Sequence, residues 1–244
     1  MKQFGIIGFP LSSSFSMKHF NEKFDQERID AQYGLFPIEN IELFPNLIRN
    51  TQFSGMNVTI PYKQQVIPYL DELDDTAQKI GAVNVIKFDY SSGKVKTKGY
   101  NSDAIGFELS LLPLLKTHHT KALILGTGGA SKAVAYVLTK NNIDFAFVSR
   151  TKTSANLCYK DLTKALMEQY LLIINCTPLG MYPVDEYPDI PYEFIGKHHL
   201  LYDLIYNPPK TLFLAKGEAK GADIKNGLDM LLAQAKGAWE VWNS

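Results

Sequence analysis

The chain has 244 residues, 45% of them hydrophobic and 20% charged, which is enough apolar material for a sizeable core and excludes disorder as its main state. Lys plus Arg and Asp plus Glu balance at 25 each, so no basic field draws the chain to nucleic acid or to an anionic membrane, and the expected partner is a small molecule. Cys158 and Cys176 are too few for a disulfide framework and form no Cys-x-x-Cys pair, no stretch reaches the roughly 20 apolar residues of a membrane span, and the amino-terminal run is broken by Gly8, Pro10 and serines, so the chain reads as cytoplasmic.

Strand and helix patterns alternate along the chain without internal repeats, the mark of an α/β architecture. Residues 3–8 read as a buried strand, and a helix is expected from about residue 16, where Met17, Phe20 and Phe24 recur at helical spacing. Residues 31–38 are a second strand candidate, 41–50 a helix, and 55–60 a strand stopped by Pro61. Short helices are expected over 64–70 and 74–80. Residues 82–90 and 94–99, joined by Ser-Ser-Gly, pattern as an antiparallel hairpin that closes a first domain, residues 1–102. Beyond Asp103, the spacing of Ile105, Leu109 and Leu112 predicts a helix. Residues 122–125, 145–149, 171–175 and 200–205 are then short apolar runs of buried-strand type with room for helices between them, a doubly wound second domain over 103–227. Residues 228–242 form a strongly amphipathic helix whose docking the pattern leaves open.

Directly after the strand Lys-Ala-Leu-Ile-Leu comes Gly126-Thr127-Gly128-Gly129-Ala130-Ser131, opening a helix. Glycines at such a turn supply permissive backbone angles and let a pyrophosphate approach the helix N-terminus, although Ser131 stands where the third glycine of the dinucleotide fingerprint belongs. At the end of the next strand, where a carboxylate would hold the ribose of NAD, the chain has Ser149-Arg150-Thr151-Lys152. Arg150, with Thr151 and Lys152, suits a 2′-phosphate, so NADP is preferred to NAD; the plain alternative is solvated surface charge.

In the first domain, Asn57 and Thr59 lie two apart on one face of a strand end, with Lys63 just beyond. Alone, Lys63 fits a surface lysine. Beside a carboxylate it fits the proton donor that hydride transfer to a ketone requires, and Asp103 at the domain junction is the candidate carboxylate. Ser12, Ser13, Ser14 and Ser16, where a strand hands over to a helix, suit an anionic oxygen-rich ligand or plain helix capping. Asn84 offers an amide that both donates and accepts, or fills a turn.

These residues resemble the shikimate dehydrogenase family, which reduces 3-dehydroshikimate to shikimate with NADPH in aromatic amino acid (chorismate) biosynthesis. The resemblance runs over essentially the whole chain in nine motifs: GFPLSSSFSMKHFN, GMNVTIPYK, GAVN, GYNSDAIGF, LGTGGASKA, SRT, INCTPLGM, YDLIYNPPKT and NGLDMLLAQA. It implies a substrate domain followed by a Rossmann-type NADP domain, with the last helix, about 228–244, returning to the first domain. It implies that Ser14 and Ser16 bind the substrate carboxylate, and Asn57, Thr59, Asn84 and Gln234 its hydroxyls, with Tyr206 approaching from the cofactor domain. Lys63 and Asp103 would be the catalytic pair. Gly126, Gly128, Gly129 and Ala130 would cradle the pyrophosphate and Arg150, Thr151 and Lys152 the 2′-phosphate. Thr177, Pro178, Leu204, Gly227 and Met230 would line the ribose and nicotinamide. The expected state is a monomer or homodimer.

The chain departs from the family in having Ser149 where Asn is usual and Lys152 where a second Arg often follows, which softens the expected NADP preference because lysine lacks the planar fork. It is also somewhat short, with a tight connection between Thr153 and Asp161. Rival readings are a quinate/shikimate or folate-dependent dehydrogenase of similar architecture, and a catalytically weak homologue that binds NADP. His118-His119 and His198-His199 are read as loop residues without metal, and Cys176 as a small buried side chain.

Overall fold

In the computed structural model, the first apolar run becomes β1 (Lys2–Gly8), in which Phe4 and Ile6 face one side of a sheet and Ile7 the other, as strand geometry requires. The structure describes residues 1–91, 93–154, 156–183 and 186–244, and the chain forms two compact units, Met1–Ser102 with Ala235–Ser244, and Asp103–Gln234.

The first unit continues with α1 (Phe15–Glu27), β2 (Ala31–Pro37), α2 (Phe44–Asn50), β3 (Phe53–Val58), β4 (Glu72–Leu73), α3 (Asp75–Ile80), β5 (Val85–Asp89) and β6 (Lys96–Tyr100). The sheet order is β2-β1-β3-β5-β6-β4, with β1 parallel to β2 and β3, and β3, β5 and β6 antiparallel in turn. One face packs Ile7, Phe44, Phe53, Met56 and Val66; the other packs Phe4, Phe20, Phe24, Tyr33 and Trp242. The Trp242 ring lies over Gly55, where a Cβ would come within 2.4 Å of it, and its Nε1–H donates to Ile86 O at 3.1 Å. Glycine at position 55 is therefore a packing requirement.

The expected helix over 64–70 is absent, replaced by a 3-10 turn at Ile67–Tyr69. In an α-helix Pro68 would lack the N–H owed to the Gln64 carbonyl and its ring would strike that oxygen, so a looser turn forms instead. The expected helix over 41–50 divides into a 3-10 turn, Ile41–Leu43, and α2. The strand expected over 55–60 ends at Val58, although Thr59 N–H still donates to Ile7 O at 2.9 Å. Strand β4, which pairs parallel with β6, had no signal in so short a segment. Ser92, in the expected hairpin turn, lies outside the described residues, as does Ala155 in the connection between Thr153 and Asp161.

The second unit carries α4 (Ser102–Leu111), β7 (Lys121–Leu125), α5 (Gly129–Lys140), β8 (Asp144–Ser149), β9 (Leu157–Cys158), α6 (Lys164–Gln169), β10 (Leu172–Asn175), β11 (Leu200–Asp203), α7 (Leu212–Glu218), β12 (Asp223–Lys225) and the start of α8 (Leu228–Asn243). Its sheet, β12-β11-β10-β7-β8-β9, is parallel throughout, the doubly wound arrangement that the alternation predicted. The edge strands β9 and β12 are too short to have been anticipated. Ile105, Leu109 and Leu112 mark α4 but are exposed; the buried face is Ala104, Phe107 and Leu111, because this helix is apolar on two sides. Among the described residues no helix is long and apolar enough to cross a membrane.

The histidine pairs form two matching turns ahead of β7 and β11. His119 N–H donates to Lys116 O at 2.9 Å and Lys116 N–H donates to His119 Nδ1 at 3.0 Å; His199 N–H donates to Gly196 O at 2.9 Å and Gly196 N–H to His199 Nδ1 at 3.1 Å. With Nδ1 accepting, the proton sits on Nε2, which reaches His198 O from His119 at 3.1 Å and Met167 O from His199 at 3.0 Å. Both rings are held neutral, and desolvation lowers the pKa of each. A lowered histidine pKa means the unfolded chain takes up protons first, so the contribution is complete above about pH 6.5 and is lost as the pH falls below it. The urea midpoint should therefore drop between pH 7.5 and pH 5.5. Replacing both rings with asparagine, whose oxygen can accept the same N–H, should flatten that drop; an unchanged slope would contradict this account.

Candidate active site

In the first unit, polar residues converge where β1 and β3 end and β5 begins. Ser14 caps α1, its Oγ accepting from Ser16 N–H at 3.1 Å, which leaves the Ser14 hydroxyl proton available to an anionic oxygen. Asn57, buried in β3, accepts from Tyr33 Oη–H at 2.7 Å and donates through Nδ2 to Asn84 O at 3.1 Å. Asn84 Nδ2 donates to Ser102 Oγ at 3.0 Å while Ser102 N–H donates to Asn84 Oδ1 at 2.7 Å. Thr59 follows β3, and its methyl occupies the room that Gly8 leaves, since a Cβ at Gly8 would meet it at 2.4 Å. Lys63 is half-buried, its carbonyl accepting from Val83 N–H at 2.7 Å, and the neighbouring Tyr62 hydroxyl donates to Ile38 O at 2.6 Å.

In the second unit, Asp103 is buried in the first turn of α4, at the positive end of the helix dipole. Gly106 lets α8 approach closely: a Cβ there would stand 2.5 Å from Met230 O and 3.1 Å from Gln234 N. Asp103 and Gln234 thus sit on helices in backbone contact.

The residues expected at the cofactor gather along the carboxyl ends of the parallel strands, on both sides of the β7/β10 switch point where doubly wound sheets bind ligands. Gly126 follows β7 with φ of 101°, and a Cβ there would come 3.1 Å from Thr177 Cγ2. Gly128 caps α5, and a Cβ on it would project into open space. Gly129 and Ala130 form the first turn of α5. Ser131, in place of the third glycine, is fully buried and donates Oγ–H to Gly128 O at 2.6 Å, tying the turn to its helix. Arg150 and Thr151 are exposed just beyond β8; Lys152 pairs with Asp161 at 3.0 Å. Thr177 donates its N–H and hydroxyl to Asn175 Oδ1 at 3.0 and 2.6 Å, with exposed Pro178 next. Leu204 and Gly227 touch, for a Cβ at Gly227 would lie 2.1 Å from Leu204 O; Met230 is buried and Tyr206 exposed.

Asp203, which no sequence motif singled out, organises this edge. Its carboxylate accepts from Thr211 Oγ1–H at 2.6 Å, Asn175 Nδ2 at 3.1 Å and Ile205 N–H at 3.0 Å, and burial pushes its pKa up to about 6 despite those donors. Tyr33 and Ser102 were not singled out either. The signal for Asp203 was a charged residue ending an apolar strand. Cys176, expected as a buried side chain, is half-buried, and desolvation holds its thiol well above the ordinary range. Among the described residues no cluster of His, Cys, Asp and Glu could hold a metal ion.

Residues 6–86 match the family model for the shikimate dehydrogenase substrate binding domain. Shikimate dehydrogenase (NADP(+)) of Methanococcus aeolicus is 36% identical over 259 residues, covering 99% of this chain and 91% of that protein. The crystal structure of shikimate dehydrogenase from Aquifex aeolicus superposes with a TM-score of 0.88 at 34% identity, covering 100% of this chain and 92% of that one. A shikimate dehydrogenase crystallised in complex with NADP+ gives a TM-score of 0.85 at 32% identity, covering 99% and 90%.

Proposed function

The chain belongs to the shikimate dehydrogenase family, and we propose that it carries out the NADP-dependent interconversion of 3-dehydroshikimate and shikimate with the residues assembled above. The observation that carries this reading is similarity over nearly the whole chain, joined to a polar cluster in the first unit and a nucleotide-type strand edge in the second. The first unit is assigned to the substrate and the second to the cofactor.

The residues present fit NADP. Gly126 holds a backbone angle that a side chain would strain, and the open space before Gly128 gives a pyrophosphate room at the start of α5. Gly129 and Ala130 complete that cradle, Arg150 and Thr151 meet the 2′-phosphate, and Thr177, Pro178, Leu204, Gly227 and Met230 flank the ribose and nicotinamide. When bound, NADP supplies hydride exchange at the substrate carbon. All other steps fall to the chain. The Ser14 hydroxyl, with Ser16, holds the substrate carboxylate. Asn57, Thr59, Asn84 and Gln234 are assigned to the ring hydroxyls, and Tyr206 to the substrate from the cofactor unit. Lys63 takes the proton from the reacting hydroxyl during oxidation and returns it during reduction, with Asp103 assigned as the second member of the catalytic pair. The free thiols Cys158 and Cys176 suit a reducing cytoplasm.

The test is absorbance-monitored oxidation of shikimate and of quinate, each with NADP+ and with NAD+. Shikimate with NADP+ should be the fastest combination. Faster turnover of quinate would move the reading to a quinate/shikimate dehydrogenase, and no turnover of either would point to a binding homologue.

A further inference from the structure

We propose that Tyr33 is a positioning residue for the substrate, acting through the amide of Asn57. The inference rests on the assignment of Asn57 to the substrate hydroxyls.

Tyr33 lies in β2 and is 3% exposed, its ring stacked on Phe20 at 5.2 Å between centroids. Its backbone is clamped by one side chain: Tyr33 N–H donates to Asn21 Oδ1 at 2.9 Å and Asn21 Nδ2 donates to Tyr33 O at 3.0 Å. The hydroxyl is thereby carried on a rigid frame to Asn57 Oδ1, at 2.7 Å. It also faces the Ser16 hydroxyl.

The bond directions follow from chemistry alone. The Asn84 carbonyl can only accept, so the Asn57 group that meets it at 3.1 Å is the NH2. Asn57 Oδ1 is then turned to Tyr33, and the phenol must donate. These two bonds use one N–H and one lone pair of Asn57, and the amide has a second of each, a donor and an acceptor of the kind a secondary alcohol needs. Without the phenol, nothing but the Asn84 carbonyl would fix which way the amide points. The same chain of bonds continues through Asn84 to Ser102, the residue before Asp103. Tyr33 thus anchors the end of a buried polar relay whose other members flank the proposed substrate position.

Tyr33→Phe keeps the ring and its stacking and removes the donor. The KM for shikimate should rise about tenfold, with kcat within about threefold of wild type and the KM for NADP+ unchanged, a split that a general loss of folding would not give. A double-mutant cycle supplies the link: on an Asn57→Ala background, Tyr33→Phe should add no further loss. An unaltered shikimate KM, an equal rise in the NADP+ KM, or additive effects in the cycle would each overturn the role. Should Tyr33→Phe fold poorly, Asn57→Asp tests the next bond of the relay: it keeps the acceptor for the phenol, removes the donor to Asn84, and should raise the shikimate KM; no rise would count against the relay. A wild-type enzyme that leaves shikimate unoxidised would instead remove the functional reading beneath it.

Discussion

Lys63→Ala should lower kcat for shikimate oxidation by about a thousandfold while the KM for shikimate moves by less than about tenfold. A group that transfers a proton in the transition state contributes little to holding the ground state, so its loss appears in kcat. The structure favours this role because the Lys63 backbone is fixed from both sides. Val83 N–H donates to its carbonyl, and Tyr62, buried at the preceding position, is anchored on Ile38 O. The residue is half-buried, unlike most surface lysines, so part of its aliphatic stem is packed. Steady-state kinetics checks the prediction, and near-normal turnover would remove Lys63 from the chemistry. A large KM effect with unchanged kcat would reassign it to substrate binding.

Arg150→Ala should weaken NADP+ binding about 10- to 100-fold and leave NAD+ binding nearly unchanged, the magnitude of one charge-assisted bidentate contact at roughly 1.4 kcal/mol per tenfold. The sequence offers two cations for the 2′-phosphate, and the structure separates them. Lys152 is paired with Asp161 at 3.0 Å, and that carboxylate, bonded by Cys158 N–H and by Lys152, is held down at about 2, so it stays charged throughout the working range. The pair leaves Lys152 partly answered within its own loop, and Lys152→Ala should cost NADP+ binding several-fold less than Arg150→Ala. Titration of both cofactors by fluorescence or calorimetry settles the matter. Equal losses for NADP+ and NAD+ in Arg150→Ala would contradict the 2′-phosphate assignment.

Much of the fold was legible because its signals are local. The alternation of short apolar runs with helical spacing identified both sheets, and the glycine turn after β7 announced the cofactor edge from contiguous residues. What the sequence concealed depends on register. Tyr33 and Asn57 meet across strands β2, β1 and β3, and β1 and β3 slip register between Gln3 and Phe4, so no spacing along the chain could have paired a phenol with that amide. The same holds for Asp203 and Thr211, joined by a loop turning back on itself. In α4, apolar residues occupy two faces, and periodicity alone could not tell that Phe107 and Leu111 would be buried rather than Leu109. Proline decided the 64–70 segment, a local cue whose weight is clear only once Pro68 is counted against a seven-residue helix.

The seating of Trp242 over Gly55 bears on the order in which the protein is made. The sheet of the first unit is complete in sequence by Tyr100, yet the apolar face formed by Phe4, Phe20 and Phe24 is covered by Trp239 and Trp242, which are synthesised after the second unit. While the ribosome is still translating the second unit, that face has no lid and remains open to solvent or to chaperones. The first unit therefore reaches its native packing only after α8 has been made, and the nucleotide-type sheet has the opportunity to fold first.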